Sequence, residues 1–303
     1  MMLIELKAKI KGRKYLPFEQ DGETYNLYDM PKGFVIKGNL DLSNKSLTEL
    51  PDLSEVVVKG GFYCFKNQLT SLKGAPKEIG GSFDCSWNNL TSLEGAPQTV
   101  SERFDCSGNQ LTTLEGAPQT VGGDFFCSKN RLTSLEGAPK KVGRSFYCYD
   151  NKLTSLEGAS KEVGRDFYCY GNKLTSLEGA PQRVGGGFNC TDNQLTSLVG
   201  LPQMEESMKI RCDDSLGNKY GFSDTCNNGV SYEQLCASPV YKSEDAMNRV
   251  RSKLPQENIE TKPVSTKQQE KTEIKTKQQE AFEKINAEFS QWLKDNSAKP
   301  TRQ

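Results

Sequence analysis

Seven cysteines, Cys64, Cys85, Cys106, Cys127, Cys148, Cys169 and Cys190, follow one another at intervals of 21 residues without a slip. Other columns keep the same step. Two residues before each cysteine stands a phenylalanine, Phe62 to Phe188; three after it stands an asparagine, Asn67 to Asn193; leucines follow at two fixed offsets, Leu69 to Leu195 and Leu72 to Leu198. A unit this short cannot bury an apolar face alone, so its copies must stack and build one continuous core between them. That requirement excludes an ordinary globular core more firmly than any other feature of the chain.

The consensus GGxFxCSxNxLTSLEGAPxxV resembles the leucine-rich repeat pattern LxLxxNxL, with Phe and Cys in the first two apolar slots and Asn in its own. The resemblance covers residues 34–202, about eight repeats, and includes an earlier copy with Leu40 and Leu42 in the Phe and Cys slots and Lys45 in the Asn slot. The implied fold is a leucine-rich repeat solenoid with a parallel β-sheet on its concave face. The short unit is similar to the bacterial subclass with an LTxLP phrase, found in effectors that pathogens inject into host cells. It is more similar still to uncharacterised repeat proteins of bacteria and tailed phages, which bring no activity with them.

Each FxC is read as a short strand sending Phe and Cys inward, and the Asn column as an internal ladder satisfying the turn that leaves the strand. The segment EGAPxxVGG, with its proline and paired glycines, excludes a regular helix and predicts an extended or turn-like convex side. Residues 1–33 read as an N-terminal cap of short strands at LIELKAKI and ETYNLY, and residues 203–251 as an irregular C-terminal cap. Residues 252–275 have the Lys, Glu, Gln and Thr composition of a flexible polar linker. In 276–296, Phe282, Ile285, Phe289, Trp292 and Leu293 recur at helical spacing on one side, which predicts an amphipathic helix able to pair with itself, dock on the solenoid or hold a partner. Residues 297–303 read as a disordered tail.

The chain has no histidine, which removes Ser-His-Asp and Cys-His nucleophiles and most catalytic zinc sites. Lys plus Arg and Asp plus Glu are both 39, so no net charge favours nucleic acid or an anionic membrane. Charges at Glu5, Lys7, Lys9 and Lys11 interrupt any secretory h-region, and no apolar run approaches ~20 residues, so a cytoplasmic protein is expected. Delivery to a host by a specialised secretion system would leave no such signal.

Stacked cysteines would have Cβ atoms about 4.8 Å apart, beyond the usual disulfide range, and a 21-residue interval matches no zinc spacing; the column is read as reduced apolar filler. Ile210 and Cys212 read as one degenerate strand displaced by one residue; Cys212, Cys226 and Cys236 lie outside the 21-residue spacing and are given a structural or unpaired role. Cys212 with Asp214 is similar to the Cys-x-Asp motif of ubiquitin ligases attached to bacterial leucine-rich repeats, which implies a transferase as the alternative activity. The column Glu94 to Glu178 reads as a solvated edge. No catalytic, metal or cofactor residues are assigned.

The strand positions that vary between copies point away from the core. There Tyr63, Phe65, Asp84, Trp87, Asp105, Phe126, Tyr147, Tyr149, Tyr168 and Tyr170 gather aromatic and acidic side chains. Exposed aromatics on a rigid sheet are the make-up of a protein-binding hot spot. The sequence therefore predicts a non-enzymatic module that holds a protein or peptide on its concave face.

Overall fold

The computed structural model describes residues 14–223 and 228–253. Contacts divide the chain into Met1–Lys253 and Leu254–Gln303. The second unit, with the expected helix at 276–296, lies outside the described residues, as does Cys226.

Within the first unit each repeat forms one rung of a parallel β-solenoid. The strands at Phe62–Tyr63, Phe83–Asp84, Phe104–Asp105, Phe125–Phe126, Phe146–Tyr147, Phe167–Tyr168 and Phe188–Asn189 pair in parallel, Phe opposite Phe. Leu40–Asp41 opens this main sheet and Lys209–Arg211 extends it, each 22 residues from its neighbour in register. On the other side the residue before each valine starts a second run of two-residue parallel strands, from Thr99–Val100 to Arg183–Val184, preceded by Val35–Ile36, Val57–Val58 and Glu78–Ile79. The expected extended side is thus hydrogen-bonded sheet. Its interruption between Ile79 and Thr99 falls where Ser101 takes the corner slot that Gly80, Gly122 and Gly143 hold elsewhere. At Gly143 a Cβ would lie 2.1 Å from the Gly122 carbonyl oxygen of the preceding rung, so the chain turns there only by close backbone approach.

Between the sheets the Phe rings form an unbroken column, neighbouring centroids 5.0–5.7 Å apart from Phe62 to Phe188. Cys, Leu and Val columns fill the remaining interior. Ser160, where other repeats have proline, is buried, and its hydroxyl donates to the Pro139 carbonyl, so the exchange leaves no orphan.

The buried asparagines bind rungs together. Asn130 Nδ2 donates to the Cys127 carbonyl of its own rung and the Cys106 carbonyl of the rung before, both at 3.1 Å, while its Oδ1 accepts from the Leu111 N–H at 3.1 Å. The same bridge recurs at Asn88, Asn109, Asn151 and Asn172. Each amide thus closes its own turn and ties it to the preceding one.

At the N-terminal end an antiparallel hairpin, Pro17–Gln20 with Glu23–Asn26, turns through Asp21 and Gly22 at φ 54° and 79°. Gln20 from this hairpin donates to the Val35 carbonyl and accepts from the Lys37 N–H, occupying backbone groups of the second sheet's outermost strand.

The C-terminal cap is more regular than its sequence predicts. Val230–Ser231 pairs antiparallel to Lys209–Arg211, and three helices follow the solenoid: α1 (Asp214–Lys219), α2 (Tyr232–Ala237) and α3 (Pro239–Lys253). A capping box between Ser231 and Gln234 opens α2, and proline opens α3, which runs past residue 251 into the expected linker. Where Leu114, Leu135 and Leu156 give their N–H to the Glu carbonyl of the next rung, Leu198 has no further rung and donates to the Tyr220 hydroxyl at 2.9 Å. That hydroxyl in turn donates to Glu244 at 2.7 Å. Burial works against ionising Glu244, but hydrogen bonds from Lys219, Tyr220 and Ser197 outweigh it and hold the carboxyl below its ordinary value.

Asn130→Ala removes one amide and leaves two carbonyls and one N–H of two rungs without that partner. A loss of about 3 kcal/mol or more is expected, read as a lower urea midpoint than the parent chain.

Candidate binding face

Alternation along each strand places the residue after Phe, and the one after Cys, on the outward face of the main sheet. The pairing register then sets Asp84, Asp105, Phe126, Tyr147 and Tyr168 in one line across adjacent strands. The rings of Phe126 and Tyr147 stack at 4.3 Å and 4°, and Tyr168 meets Tyr147 edge-on at 5.2 Å. Beside them Tyr149 and Tyr170 stack at 4.5 Å and 4°. All five rings are half-buried. Burial raises the phenol pKa of Tyr168, and pushes that of Tyr170 up to about 12, with Asp166 and Tyr149 adding to the effect respectively. Both hydroxyls therefore remain protonated donors at neutral pH.

Arg103, which the sequence analysis did not single out, joins the aromatic line to the acidic one. Its guanidinium carbon lies 4.4 Å from the Phe126 ring centroid, and its Nη2 pairs with the buried Asp105 carboxylate. The signal was available: in Arg103-Phe104-Asp105 the first and third residues share a face. Asp84 stands next to Asp105 and accepts from the Ser86 N–H and hydroxyl, both through Oδ1. Burial, and then the Asp105 charge, raise its pKa, against the pull of Ser86 and Arg103.

Trp87 occupies the slot before the asparagine, which is left-handed in all seven rungs, and it is the bulkiest residue there at φ 54°. It is 51% exposed. Its ring lies over Gly108, where a Cβ would come within 2.8 Å of it, and Lys129 Nζ stands 5.6 Å from the ring centroid. Tyr63 and Phe65 do not join this group. Two rungs, those of Asp84 with Ser86 and Asp105 with Ser107, separate them from Phe126 and the tyrosines beyond it, and the Tyr63 hydroxyl lies over Gly61.

The cysteine column does more than fill space. Cys85, Cys106, Cys127, Cys148, Cys169 and Cys190 each direct Sγ at the carbonyl of the next rung, 3.2–3.5 Å away, which already accepts the same residue's N–H. The seven thiols of the column are free. Burial pushes those of Cys85, Cys106, Cys127, Cys169 and Cys190 well above the ordinary thiol value. The displaced strand expected at Ile210 and Cys212 is formed: Ile210 pairs with Phe188, which sets Cys212 one place beyond the paired Arg211, as Cys190 stands beyond Asn189, so Cys212 continues the column rather than standing outside it. It is fully buried.

A search of solved structures finds the leucine-rich repeat domain of a Shigella effector, 22% identical, with a TM-score of 0.42 over 52% of this chain and 70% of that chain. No family model and no curated protein matches. The fold is a leucine-rich repeat solenoid. That assignment rests on the 21-residue rung, its parallel strand and its asparagine turn, since a likeness of that order carries no further argument. No helix among the described residues is long and apolar enough to cross a membrane.

Two outcomes follow from the protonation states. Alkylation at about pH 8 leaves the seven column thiols unmodified in the folded chain and reaches them only in denaturant; rapid labelling of the native protein contradicts their placement. Because folding raises the Asp84 pKa above 3.8, stability falls as pH rises from that value through the folded pKa. Asp84→Asn, which keeps an acceptor for Ser86, therefore unfolds at a higher temperature than the parent at pH 7, and the gap closes when both are measured below pH 3.8.

Proposed function

We propose that the chain is a binding scaffold and that the outward face of its main sheet, from Asp84 to Tyr170, holds a protein or peptide. One observation carries this reading. The inward columns repeat Phe, Cys, Asn and Leu in seven rungs, whereas the outward columns change from rung to rung and collect a row of three rings, Phe126, Tyr147 and Tyr168, a stacked pair, Tyr149 and Tyr170, and an exposed tryptophan on the rung of Asp84. Stacking alone accounts for the ring pairs as cross-strand stabilisation. It does not account for Trp87, whose backbone occupies a conformation costly for a bulky residue and whose side chain is half exposed.

The transferase alternative needs a thiol that a donor can reach and that ionises readily. Cys212 has no exposed surface, so the binding reading is preferred.

In affinity capture with the full chain, the variant carrying Tyr147→Ser and Tyr168→Ser is expected to lose a partner that the parent retains, with its far-ultraviolet circular dichroism unchanged. An identical partner set from both proteins contradicts the assignment of this face.

A further inference from the structure

The second sheet carries its own departure from the repeat. In the rungs of Val142, Val163 and Val184, the two positions before the valine and the position after the corner glycine hold six bases, Lys140, Lys141, Arg144, Lys161, Arg165 and Arg183, against one acid, Glu162. The same positions of the two preceding rungs hold Gln98, Thr99, Glu102, Gln119, Thr120 and Gly123, with no base among them. Register brings the six together. Lys141, Glu162 and Arg183 are partners across adjacent strands, and the Arg165 N–H donates to the Arg144 carbonyl at 3.1 Å. All six residues are exposed, and none makes an ion pair among the described residues.

The packing that turns the chain also opens a groove beside these bases. A Cβ at Gly143, Gly164 or Gly185 would lie 2.1–2.4 Å from a carbonyl oxygen of the rung before, so the corner is a column without side chains. An open groove of about 500 Å³ runs over it, walled by Lys141, Glu162 and Arg183 and reaching Gln203 to Glu205 at its end. The N–H groups of Gly143, Arg144, Gly164, Arg165, Gly185 and Gly186 all donate to the rung before, so no backbone donors converge here to hold a single phosphate. No aromatic residue lines the groove either, which leaves nothing for a nucleic-acid base to stack on. What remains is a set of long cationic side chains spread over three rungs. They suit a flexible chain that carries several negative charges.

We infer that this groove docks an acidic segment of a partner protein, extended along the solenoid axis, with its carboxylates at Lys141, Arg183 and the Arg144 and Arg165 pair. This site is separate from the aromatic face and does not depend on it. Glu162 and Glu205 lower the local excess, but six bases against two acids leave it positive, and the potential of such a cluster both attracts and orients an acidic chain. The rungs set the length. Lys141 and Arg183 are two steps apart, about 10 Å at ~4.8 Å per step, which an extended chain covers in about three residues at ~3.3 Å each. With long side chains reaching past either end, a run of about five acidic residues matches the cluster.

The test titrates the full chain with a labelled twelve-residue Gly/Ser peptide carrying five consecutive glutamates, and with the same peptide carrying glutamines, which keeps the shape but not the charge. The glutamate peptide is expected to bind about tenfold more tightly than the glutamine peptide, and to weaken as salt is raised. Arg144→Gln with Arg165→Gln weakens it about fivefold. Lys152→Gln with Lys173→Gln, which removes the same charge from exposed positions beside the asparagine turns, leaves it unchanged. Equal binding of the two peptides, no binding of either up to millimolar concentration, or the same loss from both double variants overturns the inference. So does tighter binding of a six-nucleotide oligothymidylate, whose five phosphates match the peptide in charge, with the same loss from the arginine variant; the groove is then a nucleic-acid site. The Tyr147→Ser, Tyr168→Ser variant is expected to bind the glutamate peptide as the parent does, and loss of binding there moves the peptide to the aromatic face and overturns the assignment of the groove.

Discussion

The structure depends on a buried primary amide. Each asparagine of the ladder donates to two carbonyls and accepts one N–H, and these groups belong to two successive rungs. A turn folded tightly enough to return the chain to the next strand within 21 residues leaves such groups facing the interior, where each costs about 1–3 kcal/mol unpaired. No other side chain offers two donors and an acceptor on so short a stem. The amide therefore fixes one turn on the next, also across the 22-residue rung before Phe62, and between the seven 21-residue copies that alignment puts Phe above Phe and Cys above Cys. The thiol hydrogen bonds and the ring column are consequences of that alignment.

The alignment also separates two kinds of position. Inward residues are held by identical neighbours above and below, so one change disturbs two interfaces. Outward residues meet only their strand partners and solvent, which leaves them open to variation. The Arg103 and Asp105 pair, the Phe126 to Tyr168 line and Trp87 all sit in this permissive set. Only the ends need side chains that imitate a rung: Gln20 bonds the backbone of the first strand of the second sheet, and the Tyr220 hydroxyl takes the place of the carbonyl that a further repeat would offer Leu198.

Most of the scaffold was legible because its signal is periodic. Spacing and the resemblance to the repeat pattern located the strand, the asparagine turn and the inward residues, and the proline with the paired glycines gave the non-helical return. Features that occur once were harder to read. The displaced strand at Ile210 and Cys212 could be read from its two apolar residues, but not that its cysteine continues the buried column, because strand pairing and not spacing absorbs the inserted residue. The cap helices were missed because α1 is short and contains Gly217 and Asn218, both poor helix formers, and because the Ser231 and Gln234 capping signal was not used. Of the outward rings named from sequence, Phe126, Tyr147 and Tyr168 form one row and Tyr149 and Tyr170 a stacked pair, while Tyr63 and Phe65 stand apart; contact depends on which rungs are neighbours and on what lies between them. Arg103 stands before Phe, in a slot filled by Gly, Ser, Asp or Arg from rung to rung, so no periodic signal marks it, although alternation turns it to the same face as Asp105.

Hydrogen exchange at the leucine amides that donate to the ladder tests this account most directly. Leu69, Leu90, Leu111, Leu132, Leu153 and Leu174 lie in turns, yet each gives its N–H to an asparagine Oδ1 at 3.0–3.1 Å. If the amide ladder holds the rungs together, these N–H groups exchange only in the large openings that also release the strand amides of Cys85 to Cys169. Exchange at the rate of solvent-exposed loop amides, with the strands still protected, would show that the rungs are held by sheet and ring packing and that the asparagines are incidental.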